Sequence, residues 1–417
     1  MKRVDLVIVG GGSAGLAAAI SAYDQGVKDI LILEKGPTLG GILNQCIHHG
    51  FGIEVFNEQL TGPEYAERYQ QEVERRGIPY KLNTMVVSLN ANKNLAYSNE
   101  EDGYQILEAR AVIMATGCYE RSAGQIMLPG SRLVGIMTAG QAQEFLNIGG
   151  YLVGRRVFIL GSGDIGLIMA RRMRLEGAEV LGVAEIMPYS NGLPRNLVQC
   201  LHDFDIPLFL SHTISNVYGQ NRVEKIEISQ VDENFQFIPG TEKEFAVDTL
   251  LLSVGLIPNN DLLMQAGVEI SSTKGPVVDE KLETSIPGVF SCGNALHVHD
   301  IVDYVSHEGE LAGKSAADYL LSSRFESGKQ IRVLPGNLIS YVVPQRIDID
   351  SDLEEISLKF RVKTPLEKAR ISVKLDGVEI AKTFRPYAIP SEMEMIKIAK
   401  KNLRLASLLT VEVTSHG

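Results

Sequence analysis

The sequence predicts an α/β protein of two Rossmann-like parallel-sheet units, the second inserted into the first, followed by a small C-terminal β-domain. Three observations carry that expectation: two glycine fingerprints that follow apolar strands, an acidic residue at the same distance after each, and a switch to alternating periodicity near the end of the chain. The first fingerprint is Gly10, Gly12 and Gly15 in VDLVIVGGGSAG, trailed by Glu34 in ILILEK. The second is Gly161, Gly163 and Gly166 in RRVFILGSGDIG, trailed by Glu185 in VLGVAE. In such a unit a buried strand ends in a glycine turn, the backbone closes on a pyrophosphate at a helix N-terminus, and the later carboxylate accepts ribose hydroxyls. One GxGxxG is a weak signal, but two in this context point to two dinucleotide sites and to electrons passing between them. The bland alternative is a pair of α/β units whose glycines only let a helix pack on a strand.

With 417 residues, 45% hydrophobic and 22% charged, the chain can build two or three cored domains. Its net charge of -11 and lack of any Lys/Arg run argue against nucleic acid or an anionic membrane as main partner. The opening MKRVDLVIVGGGSAGLAAAI resembles a secretory leader only superficially, because Asp5 and the glycines interrupt its apolar stretch. No apolar run reaches transmembrane length. Cys46, Cys118, Cys200 and Cys292 are widely separated and form no CxxC, which disfavours a disulfide framework, a bound metal and an iron–sulfur cluster within the chain. A cytoplasmic location is expected.

Residues 1–117 read as a βαβ unit, a helix near Pro63 to Arg76 and a strand Ala111 to Ala115 that ends in the Ala115-Thr116-Gly117 turn. A connector with Pro129-Gly130 leads into the second unit, at 150–255, which ends in LLLSVG. Residues 280–325 then return to the first domain through a strand Gly288 to Cys292, Gly293-Asn294, and a helix from about Ile301 to Leu321. Across 331–417, Ile356, Leu358, Phe360 and Val362 alternate with polar residues, as do Ala369, Ile371, Val373 and Leu375 before an Asp376-Gly377 turn.

The return discriminates between cofactors. A late Gly-Asn turn before a helix supplies a second phosphate or ribityl contact, so the split domain is expected to hold FAD. Its expected ligands are Gly10, Gly12, Ser13, Ala14, Gly15, Glu34, Lys35, Gly40, Gly41, Ala115, Thr116, Gly117, Gly293, Asn294 and His299. The inserted unit is expected to hold a nicotinamide nucleotide through Gly161, Gly163, Asp164, Ile165, Gly166, Glu185 and Gly255. Ile186-Met187-Pro188 follow Glu185 where an arginine pair would serve a 2′-phosphate, which favours NAD(H) over NADP(H).

Cys46, His48 and His49, on a glycine-flanked loop, are the candidate catalytic residues; they would line the flavin or mark a route to an acceptor. The plain reading is loop histidines bonded to backbone beside a buried thiol. His297, His299 and Asp300 stand either near the flavin pyrimidine or as simple caps of the return helix. Arg121, after the ATG turn, reads as a structural partner of Glu120.

GGGSAG, ATG at Ala115 to Gly117, GSGDIG, SVGLIPN and TSIPGVFSCGN together resemble the flavoproteins with two dinucleotide-binding domains that include thioredoxin and glutathione reductases. GGILNQCIHHGFG, LTGPEYAERY, ATGCYER, GSGDIGLIMARRM and GNALHVHDIVDYVSHEGE narrow the resemblance to oxidoreductase subunits associated with anaerobic glycerol-3-phosphate dehydrogenase, relatives of opine oxidase alpha subunits. The resemblance implies FAD, a pyridine nucleotide, and electron relay beside two partners, a small cysteine-rich or iron–sulfur protein and a separate flavin dehydrogenase subunit. The chain departs from the disulfide reductases after Gly40-Gly41, where Ile42-Leu43-Asn44-Gln45-Cys46 replaces their redox cysteine pair, and in its tail. Asn294 also stands where related proteins often carry aspartate. Two other readings remain: a free-standing NADH-dependent reductase or peroxidase using Cys46, and a chiefly structural subunit whose β-tail docks a catalytic partner.

Overall fold

The computed structural model describes residues 2–322, 328–403 and 407–415. Residues 323–325 of the expected return, and Met1, 404–406 and 416–417 of the expected domains, lie outside the described residues. The chain forms two compact units, one from the residues up to Cys118 together with those from Pro258 onward, the other from Tyr119–Ile257.

The first unit begins with β1 (Lys2–Val9), α1 (Ser13–Asp24) and β2 (Ile30–Leu33). Leu6, Val7 and Ile8 in β1 and all of β2 are buried, as expected for parallel strands covered on both faces. After α2 (Gly62–Arg75) comes β3 (Gly103–Met114), longer than the expected strand, which pairs in parallel with β1. The start of α2 is set by sequence: Thr61 and Glu64 form a capping box and Pro63 occupies the first turn. The first half of β3 also pairs antiparallel with Asn94–Asn99, and its end pairs in parallel with a strand that arrives much later in the chain.

The second unit is a five-stranded parallel sheet around β4 (Arg156–Leu160), which is followed by α3 (Asp164–Leu175), β5 (Glu179–Glu185) and, further on, β6 (Thr249–Leu252). β4 lies between β5 and β6, and a three-stranded antiparallel sheet from 212–246 completes the unit.

The return consists of β7 (Val289–Ser291), in register with Val112 to Met114 of β3, and α4 (Val302–Leu321). Helix α4 lies against α1 at a separation set by glycine. A Cβ at Gly309 would stand 2.2 Å from the Ala14 carbonyl oxygen, and one at Gly313 2.2 Å from that of Ala18. The alanine-rich face of α1 thus meets backbone, and Ala14, Ala17, Ala18 and Ala22 are buried.

The tail forms two sheets around a single apolar core. One has five strands, including β9 (Leu366–Leu375) and β10 (Val378–Ala388); the other has three, centred on β8 (Glu355–Val362). Ile356, Leu358, Phe360 and Val362 point into that core, with Ala369, Ile371 and Val373 from the other sheet. The turn from β9 to β10 uses Asp376 and Gly377, both with positive φ, as an Asp-Gly hairpin requires. Loop 277–285 ties the tail to the rest of the first unit: Gln345 bonds both backbone groups of Val278, and Glu280 accepts the Asp348 amide at 2.9 Å. Among the described residues no helix is long and apolar enough to cross a membrane.

Gly309→Ala should cost about 1–3 kcal/mol of stability, because backbone blocks the added methyl, and should also reduce retained flavin because the displaced residue, Ala14, opens α1; thermal unfolding and bound-flavin absorbance check both. Burial, then the neighbouring Glu280, pushes Asp279 up to about 7. A carboxyl with a raised folded-state pKa favours the fold at low pH and loses that contribution as pH rises from about 4 to 7, by up to roughly 4 kcal/mol. Asp279→Asn, which keeps an acceptor for the Lys281 and Glu283 amides, should therefore flatten the melting-temperature profile across that range and raise its alkaline side.

Candidate functional site

The chain leaves β1 at Gly10, whose φ of +107° and closeness to β3 exclude a side chain: a Cβ there would lie 2.3 Å from the Ala115 carbonyl oxygen. Gly15 is equally confined, its Cβ position being 1.9 Å from the Gly10 oxygen. Gly12 differs. It precedes Ser13 and Ala14 at the start of α1, the helix has no side-chain cap, and a Cβ at Gly12 would meet nothing within 4 Å. Tight packing on both sides of an open, uncapped helix start is the cradle a pyrophosphate fits.

Glu34, at the end of β2, is buried, and its two oxygens accept the Gly11 and Gly36 amides at 2.6 Å each. Lys35 is exposed. The Gly40 amide bonds the Gly11 oxygen at 2.8 Å, which seats the Gly40-Gly41 turn on the fingerprint. Thr116 and Gly117 both bond the backbone of Asn259. The return completes the cradle. Gly293, with φ of +64°, packs so closely that a Cβ would lie 2.9 Å from that of Ala14. Residues from both ends of the expected flavin domain therefore meet at one place, and the donor set fits FAD.

Asn294 accepts the His299 amide at 3.0 Å and faces that residue's Nδ1 at 3.3 Å, while its own amide group donates to Cys118 Sγ at 3.6 Å. Behind this turn lies a buried polar cluster that the sequence alone does not reveal. Glu308 on α4, with a fully buried side chain, accepts the Gly293 amide at 2.9 Å through Oε2. Its Oε1 takes His297 Nε2 at 2.8 Å and, from β8 of the tail, Lys359 Nζ at 2.5 Å; His299 Nε2 is 3.3 Å away. Tyr341 faces the other nitrogen of His297. Burial pushes the Glu308 carboxyl up, but the Lys359 ammonium and the histidine rings outweigh it and hold it well below the usual range. Burial lowers His297 to about 4, so its ring is neutral. His297, His299 and Glu308 have one ligand atom each within 4.8 Å of one another, a spacing that suits a metal. Lys359 already supplies the cation at the same Glu308 oxygen, which is where a metal would have to bind.

The helix-cap reading of His297 and Asp300 is corrected by these contacts. Ile301 precedes α4 without a side-chain cap, and Asp300 instead pairs with Arg361 of β8 at 3.0 Å. Only the polar alternation of Lys359 and Arg361 in β8 hinted at them, and alternation reads as a solvent face. The expected Glu120–Arg121 pair is likewise replaced, since Glu120 accepts the Gly140 amide at 2.9 Å.

Cys46 bonds the Ile42 oxygen at 3.3 Å, His48 lies against Phe51, and His49 is exposed on a short ladder with Thr61. Burial pushes the Cys46 thiol up to about 12, which leaves it a poor nucleophile. The loop is anchored from α4 by buried Asp303, which accepts the Gly52 and Val55 amides at 3.2 Å.

The second unit repeats the first. A Cβ at Gly161 would stand 2.1 Å from the Ser253 oxygen and one at Gly166 2.7 Å from the Ser253 side chain, while Gly163 precedes α3 without a side-chain cap. Glu185 is buried and accepts both the Ser162 amide, at 3.0 Å, and its hydroxyl, at 2.6 Å, much as Glu34 holds Gly11. Asp164 is engaged by Leu193 and Asn196, and Ile165 follows it in the first turn. Gly255, at φ +106°, accepts the Arg121 amide.

Residues 4–312 match the family profile described as pyridine nucleotide-disulphide oxidoreductase. The chain belongs to that family. A thioredoxin reductase from T. acidophilum shares the fold, with a TM-score of 0.64 at 23% identity over 77% of this chain and 100% of that one. The hydrogen cyanide synthase subunit HcnB of Pseudomonas protegens is 27% identical over 63% of this chain and 59% of its own length. An opine oxidase subunit of Agrobacterium tumefaciens is 25% identical over 75% of this chain and 64% of its own. The chain thus spans less than two thirds of the length of these two relatives.

Because the Cys46 thiol, pushed up to about 12, stays protonated, Cys46→Ser should retain bound flavin and alter its reduction by NADH by less than about twofold in stopped-flow absorbance.

Proposed function

We propose that this family member moves hydride between NAD(H) and FAD and passes the electrons to a partner protein, as one component of a glycerol-3-phosphate dehydrogenase-type complex. The observation that carries the reading is the lack of a usable dithiol: none of the four cysteines is in a disulfide, and the one after the Gly40-Gly41 turn is a half-buried thiol pushed up to about 12. A family scaffold without its disulfide has to deliver electrons by another route. Two relatives are themselves named as subunits, which supports a partner-dependent role. The same raised thiol argues against a single-cysteine peroxidase.

Flavin, when bound, supplies the hydride-accepting ring. The protein's part is to bind and orient. The open start of α1 holds the pyrophosphate, Glu34 orients a ribose, and the Gly293-Asn294 turn fixes the other end of the cofactor. In the second unit the start of α3 and Glu185 do the same for the nicotinamide nucleotide, and the carboxylate, with Ile186 and Met187 after it, disfavours a 2′-phosphate.

Anaerobic titration of the flavin-loaded protein should show bleaching by NADH at least about tenfold faster than by NADPH, with no reoxidation by disulfide substrates and rapid reoxidation on addition of a partner dehydrogenase complex. Turnover with a disulfide would overturn the electron-relay reading, and no bleaching by either nucleotide would leave a chiefly structural subunit.

A further inference from the structure

We propose that Lys359, a residue of the C-terminal β-domain, is a positioning and charge-setting residue for the flavin. The inference rests on the reading that the Gly293-Asn294 turn contacts FAD. The tail lies beyond the residues matched to the family, yet it reaches the wall of the cradle through one unbroken chain of bonds. Lys359 Nζ pairs with Glu308 Oε1 at 2.5 Å, Glu308 Oε2 accepts the Gly293 amide at 2.9 Å, and Gly293 abuts Ala14 at the start of α1. Glu308 Oε1 also stands 3.3 Å from His299 Nε2, and that ring faces Asn294 through Nδ1.

The electrostatics give the chain its consequence. Glu308 is fully buried and Lys359 nearly so, with side-chain exposures of 0% and 15%, and His297 contributes a neutral ring. The pair therefore sums to zero immediately behind the turn. A carboxylate without its ammonium either remains charged, placing one uncompensated negative charge beside the site, or takes up a proton and loses its charge-assisted hold on the Gly293 amide. An ammonium without its carboxylate does the reverse. Two-electron reduction of a flavin adds negative charge, so the balance of this pair bears on reduced cofactor more than on oxidised cofactor. Arg361 adds a second fastening, to Asp300 and the Val298 oxygen, which holds β8 against the same segment.

The test compares full-length wild type, Lys359→Met, Lys359→Arg, Glu308→Gln and the double variant Glu308→Gln/Lys359→Met. The readouts are FAD dissociation constant, two-electron midpoint potential of the bound flavin, and thermal unfolding of the flavin-free protein. Lys359→Met should weaken FAD about tenfold and lower the potential, a tenfold selective loss for the reduced form being about 30 mV. Glu308→Gln should shift the potential upward. The double variant should return it toward wild type, and Lys359→Arg should stay within about threefold in affinity. If Lys359→Met does not fold, the upward shift in Glu308→Gln and its reversal in the double variant carry the same test. Shifts of one sign in both single variants, or none, would overturn the charge-setting role; unchanged affinity as well would reduce Lys359 to packing. A wild-type protein that binds no FAD would instead overturn the flavin-site reading itself.

Discussion

The first unit depends on backbone contact between two helices that lie far apart in sequence. Gly309 and Gly313 of α4 press on the carbonyls of Ala14 and Ala18 of α1, at a separation no side chain would allow. This contact draws the start of α1 and the Gly293 turn together, so that one ligand can be held from both. Small residues in α1 contribute little apolar area each, but they permit interior density at short range. β7 adds the second fixture by continuing the sheet beside the end of β3, which places the turn at the carboxyl end of the strands.

The same region shows how an appended domain can become part of a site. The tail sandwich has a core of its own, yet Lys359, Arg361, Tyr341 and Gln345 meet Glu308, Asp300, His297 and Val278 outside it. Ion pairs at such a place are not simple sources of stability, because the desolvation of both charges offsets much of their attraction. Their value lies in fixing geometry and charge. Glu308 holds a backbone amide of the turn through one oxygen and a cation from the tail through the other.

Both halves use the acid after the fingerprint in the same way. Glu34 bonds the amide of Gly11, and Glu185 bonds the amide and hydroxyl of Ser162. The repeated carboxylate thus shapes the turn before any ribose is present, which couples the fold of each loop to the ligand it would take.

Much of this was legible in the chain because it is local. Strand, glycine turn, helix and acid follow one another within a few dozen residues, and the capping box of α2 and the Asp-Gly turn of the tail are encoded at single positions. The alternation of Ile356, Leu358, Phe360 and Val362 likewise declared a two-sided strand, and the absence of a second cysteine beside Cys46 declared what chemistry the loop lacks. What alternation could not tell was that the other face of β8 is not a solvent face. Lys359 and Arg361 are polar residues that meet Glu308 and Asp300, and only the folded chain brings these together. Nor could the sequence tell that Asp300 pairs with the tail. Local order determined the two strand, glycine-turn, helix and acid units, since backbone sterics and periodicity act over neighbouring residues; tertiary structure decided the charge behind the Gly293 turn, since burial and electrostatic pairing depend on what lies near in space.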